Sequence, residues 1–305
     1  MFKEIQKSSL YRPEIDGLRA FAVIAVIINH FNKDLLPSGY LGVDLFFVIS
    51  GYVLTSSNSK NKAKSFKEFL INFYEKRINR LIPALVFFVC ITSFLICLFD
   101  ANPINSLRTG AASLIGISNL YLFQNNSDYF APSIDLNPFA HTWSLGVEEQ
   151  FYFFFPLLIW FSSFSRNNKK GSIRLLFINS IITIASLIGF IYFYPRNQAF
   201  AYFMMPTRLW EISIGSIVFI LFQKNSNYNF VQIKLPSLLC ILGLIFLFFL
   251  PIKYAILSTI LSVILCSILL INLKEGTFAF NLFTQKNIVY IGLISYSLYL
   301  WHWPI

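Results

Sequence analysis

Nine apolar stretches, each long enough to cross a bilayer as a helix, set what this chain can fold into. They run at roughly 18–36, 40–56, 81–99, 149–165, 175–194, 207–223, 235–251, 254–272 and 287–305. The hydrocarbon core of a membrane takes about 20 apolar residues per helical span. The expected fold is all-α, a polytopic transmembrane helical bundle of about nine spans. It forms a single domain over residues 1–305, with no soluble domain. Composition points the same way: 56% of the residues are apolar and 12% charged, against about 45–50% and about 25% in soluble proteins. An ordinary soluble enzyme is excluded.

A tenth segment, 107–124, is rich in Gly, Ser and Asn, and charge placement decides how it counts. The net charge of +10 would suggest nucleic acid in a soluble protein. In a membrane protein the basic residues instead collect in cytoplasmic loops, and no nucleic-acid partner is expected. With the N-terminus cytoplasmic and the tenth segment not crossing, nineteen of the 24 Lys and Arg fall inside and five outside. With it crossing, the division is fourteen to ten. The segment is therefore expected to be a re-entrant or interfacial helix on the outer side. Residues 125–148 then face outward with Asp128, Asp135, His141 and Glu148, and Ser57 to Arg80 forms a basic cytoplasmic loop. The sequence stops at Ile305 directly after Trp-His-Trp-Pro, without a polar tail, so at least one further span is expected to be missing. The first apolar run, holding Arg19 and His30, does not resemble a cleaved signal peptide. Cys90, Cys97, Cys240 and Cys266 all lie in apolar runs and read as packing residues.

Ionisable groups in hydrocarbon are costly and mark functional sites by default. Arg19 and His30 are eleven residues apart, which on a helix is about three turns and roughly 16 Å of rise. Both lie on one face, with Arg19 at the cytoplasmic boundary and His30 towards the outside. Imidazole suits proton transfer near neutral pH. The structural alternatives are an Arg19 that snorkels to headgroups and a His30 that packs with a hydrogen bond. In the second span Gly39, Gly42, Ser50 and Gly51 remove bulk from one side, for helix approach or for a substrate channel, and Asp44 adds a charge. Arg77 and Arg80, three residues apart at the start of the third span, suit a phosphate-bearing ligand or an anionic-lipid anchor.

The fourth span opens Trp143-Ser-Leu-Gly-Val-Glu148-Glu149-Gln-Phe-Tyr152. Ser144 could cap this helix and two acids in its first turn would suit the macrodipole, yet adjacent carboxylates entering a span are expensive. Arg208 and Glu211, three residues apart, read first as an intrahelical ion pair. Tyr296, Tyr299, Trp301 and Trp303 fit an aromatic belt, which leaves His302 unexplained. No metal is expected, since His30, His141 and His302 lack ligand spacing.

The segments YRPEIDGLRAFAVIAVIINH from Tyr11, GYLGVDLFFVISGYVLT from Gly39, RINRLIP from Arg77, HTWSLGVEEQFYFFFP from His141, RLWEISIGS from Arg208 and ISYSLYLWHWPI from Ile294 together resemble the membrane-bound acyltransferase-3 family. The resemblance covers essentially the whole chain in family order. It implies a multi-pass enzyme of the bacterial cytoplasmic (inner) membrane that O-acylates surface polysaccharides, peptidoglycan or small molecules, with an acyl-CoA donor, acetyl-CoA first among them, arriving from the cytoplasm. It also implies that Arg19 and His30 match the family's essential Arg and His, and that Arg77 and Arg80 match its cytoplasmic Arg-x-x-Arg. The expected catalytic set is His30, Arg19 and Glu149. Arg77, Arg80, Arg19 and Ser50 are assigned to the acyl-CoA, and Glu148, Trp143, Arg208, Glu211 and His302 to a glycan acceptor. A transporter or flippase is the competing expectation, because a polar path through a bundle also serves transport. It predicts repeated halves, and none is evident in the sequence.

Overall fold

The computed structural model describes residues 11–59, 63–125, 136–164, 169–222 and 235–304, and all regular structure among them is helical. The helices are α1 (Pro13–Phe31), α2 (Leu41–Asn58), α3 (Phe66–Phe99), α4 (Ile104–Leu114), α5 (Ser118–Asn125), α6 (Trp143–Ser162) and α7 (Lys169–Phe193). They continue as α8 (Gln198–Phe203), α9 (Met205–Phe222), α10 (Ser237–Phe248), α11 (Ala255–Asn272), α12 (Phe278–Phe283), α13 (Lys286–Leu293) and α14 (Ser295–Trp301). Among the described residues, five helical stretches are long and apolar enough to cross a membrane: Leu41–Asn58, Phe66–Phe99, Lys169–Phe193, Gln198–Phe222 and Ile252–Asn272. Asp128 and Asp135 of the expected outward loop lie outside the described residues.

Two compact units form, one of Met1–Ile49 and Phe230–Tyr299, the other of Ser50–Asn229 and Leu300–Ile305. In the first, α1 begins with Pro13 in its first turn and Glu14 and Asp16 beside the positive end of the helix dipole. The Arg12 side chain donates to Glu14 at 2.5 Å and reaches the Leu270 carbonyl of α11. A Cβ at Gly42 would overlap the Ala22 carbonyl of α1, so close helix approach is the work of that small residue. The segment at 235–251 yields a helix of 12 residues, about 18 Å long, because Pro236 delays its start and Pro251 follows its end. The last apolar stretch is broken into α13 and α14 at Ile294.

In the second unit α7 and α9 pack lengthwise. Asn179 donates to the Ser216 hydroxyl at 2.8 Å, and the Trp210 backbone N–H donates to Ser186 at 3.0 Å, so a polar seam ties two otherwise apolar helices. Gly51 of α2 meets the Ile212 backbone of α9 with no room for a Cβ.

The structure differs from the sequence-based expectation at two places. The stretch from Ser57 to Arg80 is not simply a loop, since α3 starts at Phe66 and runs 34 residues, about 51 Å. A capping arrangement nucleates it: the Ser65 hydroxyl accepts from the Glu68 N–H at 3.2 Å while the Glu68 carboxylate accepts from the Lys64 N–H at 2.9 Å. The segment at 107–124 is two helices, α4 and α5, rather than one. The Ile117 N–H bonds to the Ala112 carbonyl and the Gly116 N–H to Ser113, with Gly116 at φ 71°, which is the glycine-terminated helix end that only a residue without Cβ adopts freely.

Candidate active site

Arg19 and His30 belong to the first unit. Both are half-buried on α1, and α1 is unbroken between them, so the expected shared face and rise of about 16 Å hold. The Arg19 guanidinium donates to Asp16 one turn earlier at 3.4 Å, which orients it along the helix. His30 sits in the last turn.

The remaining candidates fall in the second unit, where α3 and α6 run antiparallel. Phe66 and Phe69 meet Trp160 at ring distances of 5.4 and 5.6 Å, Arg77 meets Tyr152 at 5.5 Å, and Phe88 meets His141 at 5.7 Å. Arg77 therefore stands opposite the tenth of the 20 residues of α6, whereas the sequence alone set it in a loop at the rim. Its guanidinium covers the Phe73 ring at 3.5 Å and donates to the Phe73 carbonyl. Arg80, three residues on, is exposed, so the two arginines do not share one environment.

On the facing helix Glu148 accepts two hydrogen bonds, from the Ser50 hydroxyl at 2.7 Å and from the Tyr152 hydroxyl at 2.9 Å. Ser50, expected on the donor side, and Glu148, expected with the acceptor, are thus hydrogen-bonded neighbours. Glu149 points elsewhere. It lies against Gly116, at the break between α4 and α5, where a Cβ would overlap its carboxylate. Beside it Gln150 donates to the Gly116 carbonyl at 3.1 Å and to the Asn119 side chain at 2.8 Å, and Asn119 donates to the Phe203 carbonyl at 3.0 Å. Glu148 and Glu149 are the sixth and seventh residues of α6 rather than first-turn acids. Ser144 lies inside that helix, donating to the His141 carbonyl, because a 3-10 turn at Ala140–Thr142 moves the helix start to Trp143.

Arg208 and Glu211 form the expected ion pair at 2.8 Å, with side chains 2% and 0% exposed. Trp143 and Tyr202 enclose the guanidinium at 5.5 and 5.2 Å from their ring centres, and Trp143 is itself fully buried. Just before the start of α6, His141 is fully buried and packs edge-on against His302 at 5.3 Å and stacked on Trp303 at 6.0 Å. The acceptor candidates thus fall into three groups: Trp143 with Arg208 and Glu211, His302 with His141, and Glu148 with Ser50 and Tyr152. Among the described residues no cluster of three or more metal-ligating side chains occurs.

Residues 12–305 match the acyltransferase domain family known as acyltransferase-3. The chain belongs to that family. Over 318 residues it is 35% identical to the O-acetyltransferase OatA of Staphylococcus aureus strain NCTC 8325 / PS 47, an alignment covering 100% of this chain and 52% of that protein. It is 32% identical over 315 residues to the putative O-acetyltransferase SAS0844 of S. aureus strain MSSA476, covering 98% of this chain and 51% of that protein. The chain thus spans about half the length of the curated relatives it matches. No solved structure matches it.

Among the residues of this acyltransferase-3 chain that sequence reasoning passed over, Tyr152, Tyr74, Asn119 and Gln150 stand out. The i, i+4 spacing of Glu148 and Tyr152 on a helix was readable. The contacts of Asn119 and Tyr74 cross between helices and leave no mark in local spacing.

Proposed function

We propose that this chain is the membrane part of a bacterial O-acyltransferase. It moves an acyl group, acetyl in the first instance, from acyl-CoA at the cytoplasmic face to a hydroxyl of an extracytoplasmic or lipid-linked glycan. The observation that carries the reading is the unbroken α1 with Arg19 and His30 on one face. Their separation of about 16 Å is of the order a pantetheine arm covers, so an arginine holding phosphate and an imidazole at the thioester belong to one ligand. The bundle crosses the inner membrane about nine times as a single domain with its N-terminus cytoplasmic, and α4 and α5 form the re-entrant or interfacial element.

Arg77, with Arg80 and Arg19, holds the donor's phosphates by charge-assisted hydrogen bonds, and Ser50 lines the donor track. His30 takes the proton of the acceptor hydroxyl as its oxygen attacks the thioester carbonyl and the coenzyme A thiolate leaves, or itself attacks to give an acyl-imidazole that the hydroxyl then resolves. Glu149 belongs with this catalytic set, and Glu148, Trp143, Arg208, Glu211 and His302 with the acceptor end. Labelled acetyl-CoA supplied to membranes holding the full-length protein tests the reading. Label should pass to glycan, and His30→Ala should abolish the transfer while the protein stays inserted. Near-normal transfer by that variant would remove the role of His30, and a wild type that transports glycan without acylating it would favour a flippase.

A further inference from the structure

Tyr152 is the one hydroxyl in the run Phe151-Tyr-Phe-Phe-Phe155 of α6. A phenol amid apolar side chains costs free energy unless its oxygen is hydrogen-bonded, and packing alone would be served by a fifth phenylalanine. The hydroxyl donates to the Glu148 carboxylate at 2.9 Å, completing the pair of bonds that Ser50 begins at 2.7 Å. The ring of the same residue lies beneath the Arg77 guanidinium at 5.5 Å. Its backbone is used too. Pro156 stands four residues later in α6 and has no N–H to give, so the Tyr152 carbonyl lacks its helical donor, and the Tyr74 hydroxyl of α3 supplies one at 3.3 Å. Tyr74 and Arg77 are one turn apart on α3, so the bond that fills the gap left by Pro156 also fixes the register in which Arg77 meets the tyrosine ring.

We propose that Tyr152 is a positioning residue that joins the donor-side guanidinium of Arg77 and the carboxylate of Glu148 into one site. Its ring sets the cation, its hydroxyl sets the carboxylate, and its carbonyl sets the helix pair. The inference rests on the acyl-CoA reading above for its substrate, and on the hydrogen bonds and the ring contact for its geometry.

The test compares Tyr152→Phe, Tyr152→Leu and, as a reference for donor binding, Arg77→Ala in the full-length membrane protein. Tyr152→Phe keeps the ring and loses the hydroxyl, so kcat should fall roughly ten- to a hundredfold, the range for a hydrogen bond to a charged group, with the acetyl-CoA KM within about twofold of wild type. Tyr152→Leu should also raise the donor KM as Arg77→Ala does. A Phe variant with unchanged kcat, or one that changes only KM, would overturn the proposal. A purely structural tyrosine would lower the yield of folded protein and leave kcat and KM per folded molecule untouched. A second readout does not need turnover: the infrared carboxyl band assigned through Glu148→Gln should shift in frequency in Tyr152→Phe, and an unmoved band would overturn the geometry. If wild type transfers no acetyl group yet the band shifts, the substrate reading fails and the positioning inference stands.

Discussion

Removing one partner of the Arg208–Glu211 pair should cost far more than removing both. The two groups are 2.8 Å apart and their side chains are 2% and 0% exposed, so neither has water to fall back on. Glu211→Ala leaves the guanidinium buried among Trp143, Tyr202 and Phe190 without its counter-charge. Breaking a buried pair from one side costs about 3–5 kcal/mol, whereas replacing both members by apolar groups of similar volume is commonly neutral or better. Glu211→Ala should therefore lose about 3 kcal/mol or more, and Arg208→Met with Glu211→Leu should return to near wild type. The assay is reversible unfolding in detergent micelles, followed by tryptophan fluorescence, since Trp143 and Trp210 are both buried and Trp143 touches the pair. A loss below about 1 kcal/mol in Glu211→Ala, or a double variant no more stable than the single, would refute the reasoning. In the double variant the acceptor KM should rise although the fold is restored, which separates support of the fold from service to the acceptor.

Tyr74→Phe should destabilise the α3–α6 pair by about 1–2 kcal/mol, because the Tyr152 carbonyl loses its donor. Adding Pro156→Ala supplies the helical N–H, so unfolding of the double variant should show most of that loss recovered, and no recovery would contradict the assignment. Gly116→Ala places a Cβ against the Glu149 carboxylate at a residue with φ 71°. The left-handed conformation alone costs about 1–2 kcal/mol, and both stability and transfer should fall. Unchanged transfer in that variant would detach Glu149 from the chemistry.

The helical class and the positions of the long apolar helices were legible because length and hydropathy are local properties. Arg19 and His30 were legible for the same reason, as their shared face follows from helix periodicity once α1 is continuous. The start of α3 is also written locally, in Ser65 and Glu68, a capping signal that the reading of this stretch as a basic loop did not use. What was out of reach depends on helix pairing. Ser50 and Glu148 are 98 residues apart, and no periodicity joins them. Arg77 was set at the rim because its own neighbours are charged, and only the register against Tyr152 carries it to the middle of α6. Glu148 and Glu149 were given different roles, yet nothing in local spacing told where each side chain goes. They part because Glu148 faces Ser50 and Tyr152, while Glu149 meets the Gly116 break between α4 and α5.

In the proposed reaction an acyl group enters on one side of the membrane and leaves on the other by way of His30. Inside-out vesicles carrying the full-length protein and a lumenal glycan acceptor, given labelled acetyl-CoA that cannot cross the bilayer, test this most directly. Label should appear on lumenal glycan with wild type and vanish with His30→Ala. Transfer that needs acetyl-CoA on the lumenal side, or that survives the loss of His30, would contradict it.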